Sequence, residues 1–419
     1  MRDRPDTAEL WVHVDINSYF ATLVQQENPV LRGKPVGILK SVGRTCVIAA
    51  SKEAKACGVE TGCRLQEAKK LCPNLIAVPA AFELYWSATH RLHALFQSFV
   101  PDVELFSLDE AFLNLSPCTR IYPNPYEFGR LIQQKIRETL GEWVTCNVGI
   151  AHSRLVAKMA SEVSGKGSVT VVTKDDLLSF LAHTPFKDVC GVGRGLERRL
   201  NTIGVTSLLQ LHFIPDDALE RAVGPFWIRE LRKMSCGEDP AFLHRVETEG
   251  HMKSVGRTMT GYGLCHDETV IRRTLLNLTT EVVMKVRTMG LAGRYVGVFL
   301  EGREQSWADH RTLPYYIQHT KEMFQLIYQH MYHSWTRTFP ILRFGVSLSH
   351  LKPQSDIQQP LLPEWHKQER IERAITTAAT KFGLFTVRPA TMLDSDSVIR
   401  PEVTGYLGDK KYRMTTSSP

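Results

Sequence analysis

Three carboxylate side chains lie where short apolar segments of the sequence end. Asp15 follows the run LWVHV at 10–14, and Asp109 and Glu110 separate two alternating apolar runs in DVELFSLDEAFLNL at 102–115. Carboxylate oxygens are the ligands that Mg²⁺ prefers, and two such ions about 3.5–4 Å apart can clamp an in-line displacement at phosphorus. Adjacent acids at a turn are also ordinary on protein surfaces, so these residues alone leave both interpretations open.

The elements that must position these acids form a mixed pattern of helices and strands. The run at 10–14 predicts a buried strand, and 102–115 predicts a hairpin with the two acids at or beside its turn. Helices are expected at 83–100 and 126–140, and a further strand at 143–151. Mixed βα and ββ units indicate an α+β domain in which helices pack on a sheet.

The pattern changes beyond about residue 185. Short helices surround VCGVGRGLERRL at 189–200. From 250 to 350 two helical segments alternate with strand-like stretches, which predicts a second α+β module with strands at 257–264, 294–302 and 342–351. Residues 352–419 contain one helical segment, 366–383, and end in a polar tail that we expect to be mobile.

The composition is that of a globular protein with an excess of positive charge. The 419 residues are 43% hydrophobic and 23% charged, with a formal net charge of +7, which suits a polyanionic partner without establishing one. Nine cysteines without a C-x-x-C pair favour neither a disulfide framework nor a zinc site. No apolar run approaches the ~18–20 residues needed to span a bilayer, and the first residues lack the apolar stretch of a secretory signal, so we expect a cytoplasmic protein.

Three motifs occur in an order and spacing similar to those of a known family. They are VHVDINSYFA at 12–21, FSLDEAFLNL at 106–115 and VGIAHSRLVAKMAS at 148–161. EAKACGV lies between the first two at 53–59, and a Gly-Val-Gly turn follows the third at 191–193. Together they resemble the palm of the Y-family DNA polymerases, in particular their bacterial DNA polymerase IV group. The resemblance implies a template-directed polymerase that performs translesion synthesis in DNA repair without proofreading.

The resemblance extends from about residue 10 to residue 350 and implies a right-hand architecture of the α+β class. Short fingers should enclose the nascent base pair loosely, so that lesions are tolerated. The expected domains are a ferredoxin-like palm at 1–27 and 83–184, small fingers at 28–82, a helical thumb with a helix-hairpin-helix at 185–240, an α+β little finger at 250–350 and a C-terminal extension at 351–419.

The resemblance also assigns roles around the acids. Asp15, Asp109 and Glu110 match the ligands of two Mg²⁺ ions, and the backbone carbonyl of Ile16 would be a further ligand. Phe20 matches the steric gate, where an aromatic ring under C2′ of the incoming sugar excludes ribonucleotides. The competing interpretation of Phe20 is a core aromatic residue on an amphipathic helix. The substrates implied are deoxynucleoside triphosphates and primer–template DNA.

Nucleotide binding is expected at Tyr19, Phe20, Lys52, Lys55 and Lys166. Lys52 and Lys55 stand where the family commonly has Tyr and then Arg. Because an ammonium is a point charge rather than a planar fork, the grip on the triphosphate is expected to be less defined in geometry. Lys166 lies in SGKGS, a segment shorter than usual, which leaves its alignment open by one residue.

DNA contacts are expected in the thumb and the little finger. Gly191 and Gly193 allow backbone N–H groups to approach a phosphate, and Arg194 begins the helix that follows. The little finger is expected to bind phosphates of both strands through Arg257, Arg294 and Arg343. The competing interpretations are a tight helix–helix turn and a solvated basic sheet face.

A short segment past the last predicted strand resembles a degenerate sliding-clamp peptide. Gln358 is followed by the apolar anchors Leu361 and Leu362, although five residues in a loop match such a pattern easily by chance. We expect a monomer.

Two other functions stay open at the level of sequence. One is a catalytically weak DNA-binding or clamp-adaptor subunit of a mutagenic repair complex, against which the three retained carboxylates argue. The other is a nucleotide cyclase with a similar palm, against which the thumb hairpin and the basic last module argue.

Overall fold

The computed structural model describes residues 9–40, 46–243, 252–358, 363–383 and 385–392. Within these residues the chain forms two compact units, which divide in the segment 244–251. No helix in the described ranges is both long and apolar enough to cross a lipid bilayer.

The first unit contains two sheets and ten α-helices among its described residues. Its strands are β1 (Trp11–Ile16), β2 (Val36–Leu39), β3 (Val47–Ala50), β4 (Ile76–Pro79), β5 (Val103–Leu105), β6 (Glu110–Asn114), β7 (Cys146–Ala151) and β8 (Val169–Val171). Its helices are α1 (Tyr19–Glu27), α2 (Lys52–Ala56), α3 (Leu65–Leu71), α4 (Phe82–Gln97), α5 (Pro125–Leu140), α6 (Arg154–Val163), α7 (Leu177–His183), α8 (Arg194–Thr202), α9 (Asp216–Val223) and α10 (Pro225–Ser235).

The larger sheet places the strand that carries Asp15 at its centre. The strand order is β5-β6-β1-β7-β8, and β1 pairs antiparallel with both β6 and β7. Val12 and Val14 pack into one core with Ile132 of α5, whereas Trp11 packs into another with Leu155 of α6. Since side chains alternate along a strand, Asp15 lies on the α6 side of the sheet.

Helix α6 lies close to β7 because residue 149 is a glycine. A Cβ at Gly149 would come within 2.0 Å of the backbone oxygen of Ala157. The side chain of Ser153 caps the helix by accepting a hydrogen bond from the backbone N–H of Val156. This close approach sets the buried side of α6, which includes Lys158, against the sheet face that carries the acids.

The smaller sheet and the last helices of this unit form separate layers. The strand order is β3-β2-β4, in which β2 pairs antiparallel with β3 and parallel with β4. Helices α2 and α3 pack on this sheet around Val47, Ala54 and Ala68. Helices α7 to α10 share a core that includes Leu181 and Leu200.

The second unit is a four-stranded antiparallel sheet with helices on one face. Its strands are β9 (Ser254–Cys265), β10 (Leu291–Glu301), β11 (Ser306–Ile317), β12 (Ile341–Ser349) and the short β13 (Lys352–Pro353), which pairs with β10. Its helices are α11 (Glu268–Thr288), α12 (Thr320–Gln325), which continues as a π-helix (Leu326–Met331), and α13 (Pro363–Phe382).

The order of the second sheet is β11-β10-β12-β9. Val255, Val296 and Val346 lie in the core between the sheet and its helices. Alternation along the strands places Thr258 and Arg343 on the opposite face, where both are exposed. This unit therefore has a face covered by helices and an open face.

The predicted α+β class is confirmed in both units, and the long strand β11 of the second unit is missing from the prediction. The segment of β11, SWADHRTLPYYI, has a mostly exposed burial pattern and contains Pro314. A proline and scattered polar residues are typical of an edge strand, and β11 is the edge of its sheet. The helical segment predicted at 366–383 is confirmed as α13, whereas the tail from 393 onward lies outside the described residues.

Candidate active site

A cavity of about 630 Å³ opens in the first unit at the end of β1. Segments distant in sequence meet there, because the ends of β1, the β5–β6 hairpin and the loop after α6 all face the same space. Eight of the residues expected to act line it: Asp15, Ile16, Tyr19, Phe20, Lys55, Asp109, Glu110 and Lys166. Lys52 does not belong to the lining.

Backbone pairing brings the three carboxylates together. Asp15 is directly opposite Glu110, the first residue of β6. The backbone N–H of Ile16 donates to the carbonyl of Asp109 at 3.0 Å, which fixes the turn of the hairpin against β1. The hydroxyl of Ser107 hydrogen-bonds the Asp109 carboxylate. The convergence expected from a strand end and a hairpin is therefore present in the fold.

The electrostatics of the cluster reflect an excess of negative charge. Burial, followed by the charges of Glu110 and Asp109, raises the pKa of Asp15 to about 7. Burial also raises the pKa of Glu110, but the neighbouring His13 side chain and the charge of Lys158 outweigh it and lower that pKa to about 2. Glu110 is thus held ionised, while Asp15 is the acid that feels the uncompensated charge.

Lys158 is a residue of this site that the sequence interpretation did not single out. Its side chain is 6% exposed, and its Nζ lies 3.1 Å from Glu110 Oε2 and 2.6 Å from Glu162 Oε1. Burial lowers the pKa of Lys158, but the two glutamates outweigh burial and raise the pKa above its usual range. The ammonium therefore orients Glu110 and compensates part of its charge. The motif VAKMAS contains this lysine, yet nothing in its spacing indicates that it faces the acids.

His13 is a second neighbour of the Glu110 carboxylate. The imidazole is fully buried, with Nδ1 2.7 Å from Ser161 Oγ and Nε2 3.9 Å from Glu110 Oε2. Burial lowers the pKa of His13 to about 4 despite the nearby carboxylate. A neutral imidazole is therefore part of the wall behind the acid.

If the expected polymerase activity holds, Lys158→Met should lower kcat for nucleotide incorporation roughly 10–100-fold, the usual cost of removing a group that orients a metal ligand. The affinity for DNA should not fall, since Lys158 is buried among acids. Lys158→Arg should restore part of kcat because it keeps the charge. Single-turnover extension measures the effect, with the exposed Lys174→Met as the matched control. An unchanged kcat in Lys158→Met would remove the lysine from this role.

Two adjacent aromatic residues at the start of α1 have different surroundings. The Tyr19 side chain is buried, its hydroxyl donates to the carbonyl of Tyr85 at 2.8 Å, and Thr89 Oγ1 lies at 2.8 Å. The Phe20 ring is half-buried at the cavity and stacks on the Tyr85 ring, with centroids 4.1 Å apart and planes 8° apart. Phe20 is therefore the one of the two whose ring borders the cavity.

Asn147 links the acid-bearing strand to the loop that contains Lys166. Its Oδ1 accepts from the backbone N–H of Gly167 at 2.7 Å and from Nδ2 of Asn17 at 3.3 Å. Its own Nδ2 donates to the carbonyl of Ser161 at 3.0 Å. A buried amide with three hydrogen-bond partners fixes this loop beside the cavity. In the sequence, the only indication of this role is a polar residue within an apolar strand.

The three lysines expected to bind phosphate differ in position. Lys55 lies at the cavity, where burial and the nearby charge of Lys166 lower its pKa. Lys52 is exposed, with Nζ 4.4 Å from the ring centroid of Trp143 and 3.9 Å from Glu53 Oε1. The cavity thus has two lysine residues in its lining together with the acids, whereas Lys52 lies against an indole.

Comparisons with known proteins establish the family. Residues 14–162 match the model of the impB/mucB/samB family, 252–361 match its C-terminal domain, and 174–205 match the HHH motif of that family. The chain is 31% identical over 394 residues to DNA polymerase IV of Moorella thermoacetica, an alignment that covers 92% of this chain and 96% of the relative. The chain belongs to the Y family of DNA polymerases.

Other members and a solved structure agree with this assignment. DNA polymerase IV of Pelotomaculum thermopropionicum is 30% identical over 395 residues, with 92% of this chain and 96% of the relative covered. The fold is similar to that of a Y-family DNA polymerase chimera of Dbh and Dpo4, with a TM-score of 0.70 and 24% identity over 82% of this chain and 99% of that chain. The predicted family, enzyme class and right-hand α+β architecture are confirmed.

The predicted helix-hairpin-helix of this Y-family chain includes α8 and the turn immediately before it. Gly191 has φ +89°, and a Cβ there would come within 2.2 Å of the Phe242 ring, so that only glycine fits. Gly193 caps α8 and Arg194 is its first residue; both are exposed. The turn therefore presents backbone and a cation to solvent.

The three arginines expected to bind DNA in the second unit lie in different environments. Arg257 is buried and its Nε donates to Glu281 of α11, while its Nη1 donates to the carbonyl of Thr258. This pairing does not favour phosphate binding by Arg257. Arg343 is exposed on the open face, 3.4 Å from Glu301, and Arg294 is half-buried with its guanidinium 5.8 Å from the Tyr316 ring centroid.

The peptide expected to bind a sliding clamp is only partly described. Gln358 is exposed after β13. Leu361 and Leu362 lie outside the described residues.

Proposed function

We propose that this Y-family chain is a DNA-directed DNA polymerase that extends primers past damaged template bases by two-metal phosphoryl transfer, without proofreading. The observation that carries the proposal is the convergence of Asp15, Asp109 and Glu110 in one cavity of a chain that belongs to this family. Primer–template DNA and deoxynucleoside triphosphates are the proposed substrates, for a monomer in the cytoplasm.

The donor set fits magnesium. Asp15, Asp109 and Glu110 supply hard oxygen ligands. The pKa of Asp15 is raised first by burial and then by the charges of Glu110 and Asp109, which a divalent cation would neutralise. The carbonyl of Ile16, at the end of β1, is the proposed fourth protein ligand. Two bound ions would lower the pKa of the primer 3′-hydroxyl and neutralise the leaving pyrophosphate. The chain itself holds Glu110 ionised and oriented through Lys158 and His13.

The rest of the cavity suits a nucleoside triphosphate. Lys55 and Lys166 bring positive charge to the lining of the cavity, where the phosphates would lie. Phe20, held by its stack on Tyr85, is the proposed barrier under C2′ of the sugar. Tyr19 would act through its backbone, since its hydroxyl is engaged in the core.

We assign the palm to 1–27 and 83–184, the fingers to 28–82, the thumb to 185–240 and the little finger to 250–350. The proposed DNA contacts are the Gly191–Arg194 turn of the thumb and the cations of the little finger that are not paired in its core, Arg294 and Arg343. Such contacts to phosphates carry no sequence information, which suits a polymerase that acts on arbitrary DNA.

Primer extension tests the proposal. Each deoxynucleotide is supplied opposite normal and damaged template bases, with Mg²⁺ and with EDTA. We expect template-dependent, Mg²⁺-dependent addition that continues past a lesion, because the fingers segment is short. DNA binding without incorporation would indicate an adaptor subunit instead, and product formed without a template would indicate a different nucleotidyl chemistry.

A further inference from the structure

Helix α13 lies beyond the segment that matches the C-terminal domain of the family, which ends at residue 361. It belongs to the second unit, and its 20 residues pack against α11. No role follows for it from the polymerase site or from the predicted clamp peptide. Most of its acidic side chains, however, lie on a different side of the helix from most of its basic ones.

Two of the three acids of α13 face the body of the second unit, and the third, Glu364, is exposed. Glu369 accepts two hydrogen bonds from the guanidinium of Arg287, at 2.9 and 3.0 Å, and contacts His319 at 3.1 Å. Glu372 is 5% exposed and accepts from the backbone N–H of Thr320 at 3.1 Å. Both carboxylates take part in docking the helix, and Glu369 also lies 3.8 Å from the guanidinium of Arg373 at the flank of the helix.

The outer side of α13 is basic. At 100° per residue, three exposed cations lie within about 50° of the direction opposite Glu369 and Glu372, and the exposed Glu364 lies at the edge of this side, about 70° away. We call these cations the α13 stripe; they are Lys367, Arg370 and Lys381. Between them lie the small exposed residues Ala374 and Thr377, which leave room for close approach.

We propose that the α13 stripe is a second phosphate-binding surface, which holds a stretch of DNA other than the one at the polymerase site. This inference rests on the proposed function, because it takes the polymerase's own polyanionic substrate as the ligand. From Lys367 to Lys381 the stripe is about 21 Å long, at roughly 1.5 Å per residue. That length spans about six phosphates of one strand along a duplex axis.

The position of the stripe within the second unit determines which DNA it contacts. Helix α13 packs on α11, and α11 covers one face of the sheet, whereas Thr258 and Arg343 lie on the open face. DNA bound on the open face therefore cannot reach the stripe without a further length of duplex. Binding at both surfaces raises overall affinity only for DNA long enough to engage both.

The test compares two primer–templates, with duplexes of about 12 and about 40 base pairs, in fluorescence anisotropy at several salt concentrations. For Lys367→Gln/Arg370→Gln/Lys381→Gln in the full chain, the slope of log affinity against log salt on the long duplex should fall by about 2–3. Affinity for it at about 0.1 M salt should fall at least about tenfold. The short duplex should bind as it does to the unmodified chain.

Two further variants control for folding and for bulk charge. Lys367→Arg/Arg370→Lys/Lys381→Arg keeps every charge and should keep the affinity for long DNA. Arg120→Gln/Arg130→Gln/Arg137→Gln removes three exposed charges from and near α5 and should leave both slopes unchanged. The inference is overturned if the stripe variant binds the long duplex like this control, or loses equal affinity for both lengths. It is also overturned if the stripe binds polyglutamate but not DNA, which would indicate an acidic protein partner.

Primer extension on the short duplex separates this inference from the proposed function. If the unmodified chain does not extend the primer, the proposed function fails whatever the stripe does. If the chain extends it and the stripe variant matches the charge control on long DNA, only the second surface is rejected.

Discussion

Asp109→Ala and Glu110→Ala should each abolish Mg²⁺-dependent primer extension, with a fall in rate of roughly 10³-fold or more. Both side chains lie at the cavity with Asp15, and neither can be replaced by a neighbour, since the nearby Glu162 is paired with Lys158. Loss of a metal ligand removes several kcal/mol of transition-state stabilisation, and each ~1.4 kcal/mol is tenfold in rate. Single-turnover incorporation of one nucleotide measures the loss.

The sign of the effect on DNA binding separates loss of catalysis from loss of fold. Removing a negative charge should leave DNA affinity unchanged or slightly tighter, because the ligand is a polyanion. Glu110→Gln retains the shape of the side chain and should be as inactive as Glu110→Ala. The exposed Glu127→Gln, at the start of α5, should extend primers normally. Full extension by either alanine variant would disprove the metal assignment.

The convergence of the acids was predictable because it depends on local pattern. Each of these patterns spans 14 residues or fewer: one is an apolar run that ends in Asp15, and the other is a hairpin with two acids at its turn. Their pairing in one sheet then follows from the register that places Asp15 opposite Glu110. The family resemblance predicts roles for these residues, and the fold brings them close together.

The partners of the acids were not predictable in this way. Lys158 is a cation in an amphipathic helix, a position that sequence patterns usually place in solvent. It is buried because Gly149 lets α6 approach β7, and its charge is tolerated because Glu110 and Glu162 surround it. Such an arrangement depends on three segments that are far apart in the chain, and no single pattern carries it.

Arg257 lies in surroundings that its position on a strand does not by itself indicate. A basic residue on a strand of a DNA-binding module suggests phosphate contact, yet alternation in β9 places it on the buried side with Val255 and Met259. Glu281 of α11 makes that burial tolerable by pairing with the guanidinium. The alternation of side chains along β9 follows from the sequence. Glu281, the acid that pairs with Arg257, lies 24 residues away on another element.

Phe20→Ala should admit ribonucleotides. The Phe20 ring borders the cavity and is held parallel to the Tyr85 ring at 4.1 Å, so it cannot turn aside to accept a 2′-hydroxyl without losing that stack. Forcing an extra atom into a filled space costs about 1–3 kcal/mol, which corresponds to roughly 10–100-fold in selectivity. The ratio of kcat/KM for a deoxynucleotide to that for the matching ribonucleotide should fall by this factor.

A control within the same aromatic cluster makes this result specific to Phe20. Phe82 contacts the Phe20 ring edge-on, with centroids 6.2 Å apart, but is buried and does not line the cavity. Phe82→Leu should therefore change stability more than selectivity, whereas Phe20→Leu should give an intermediate loss because it fills part of the space. If Phe20→Ala and Phe82→Leu kept the same preference for deoxynucleotides, the barrier to the 2′-hydroxyl would have to lie on another residue of the cavity.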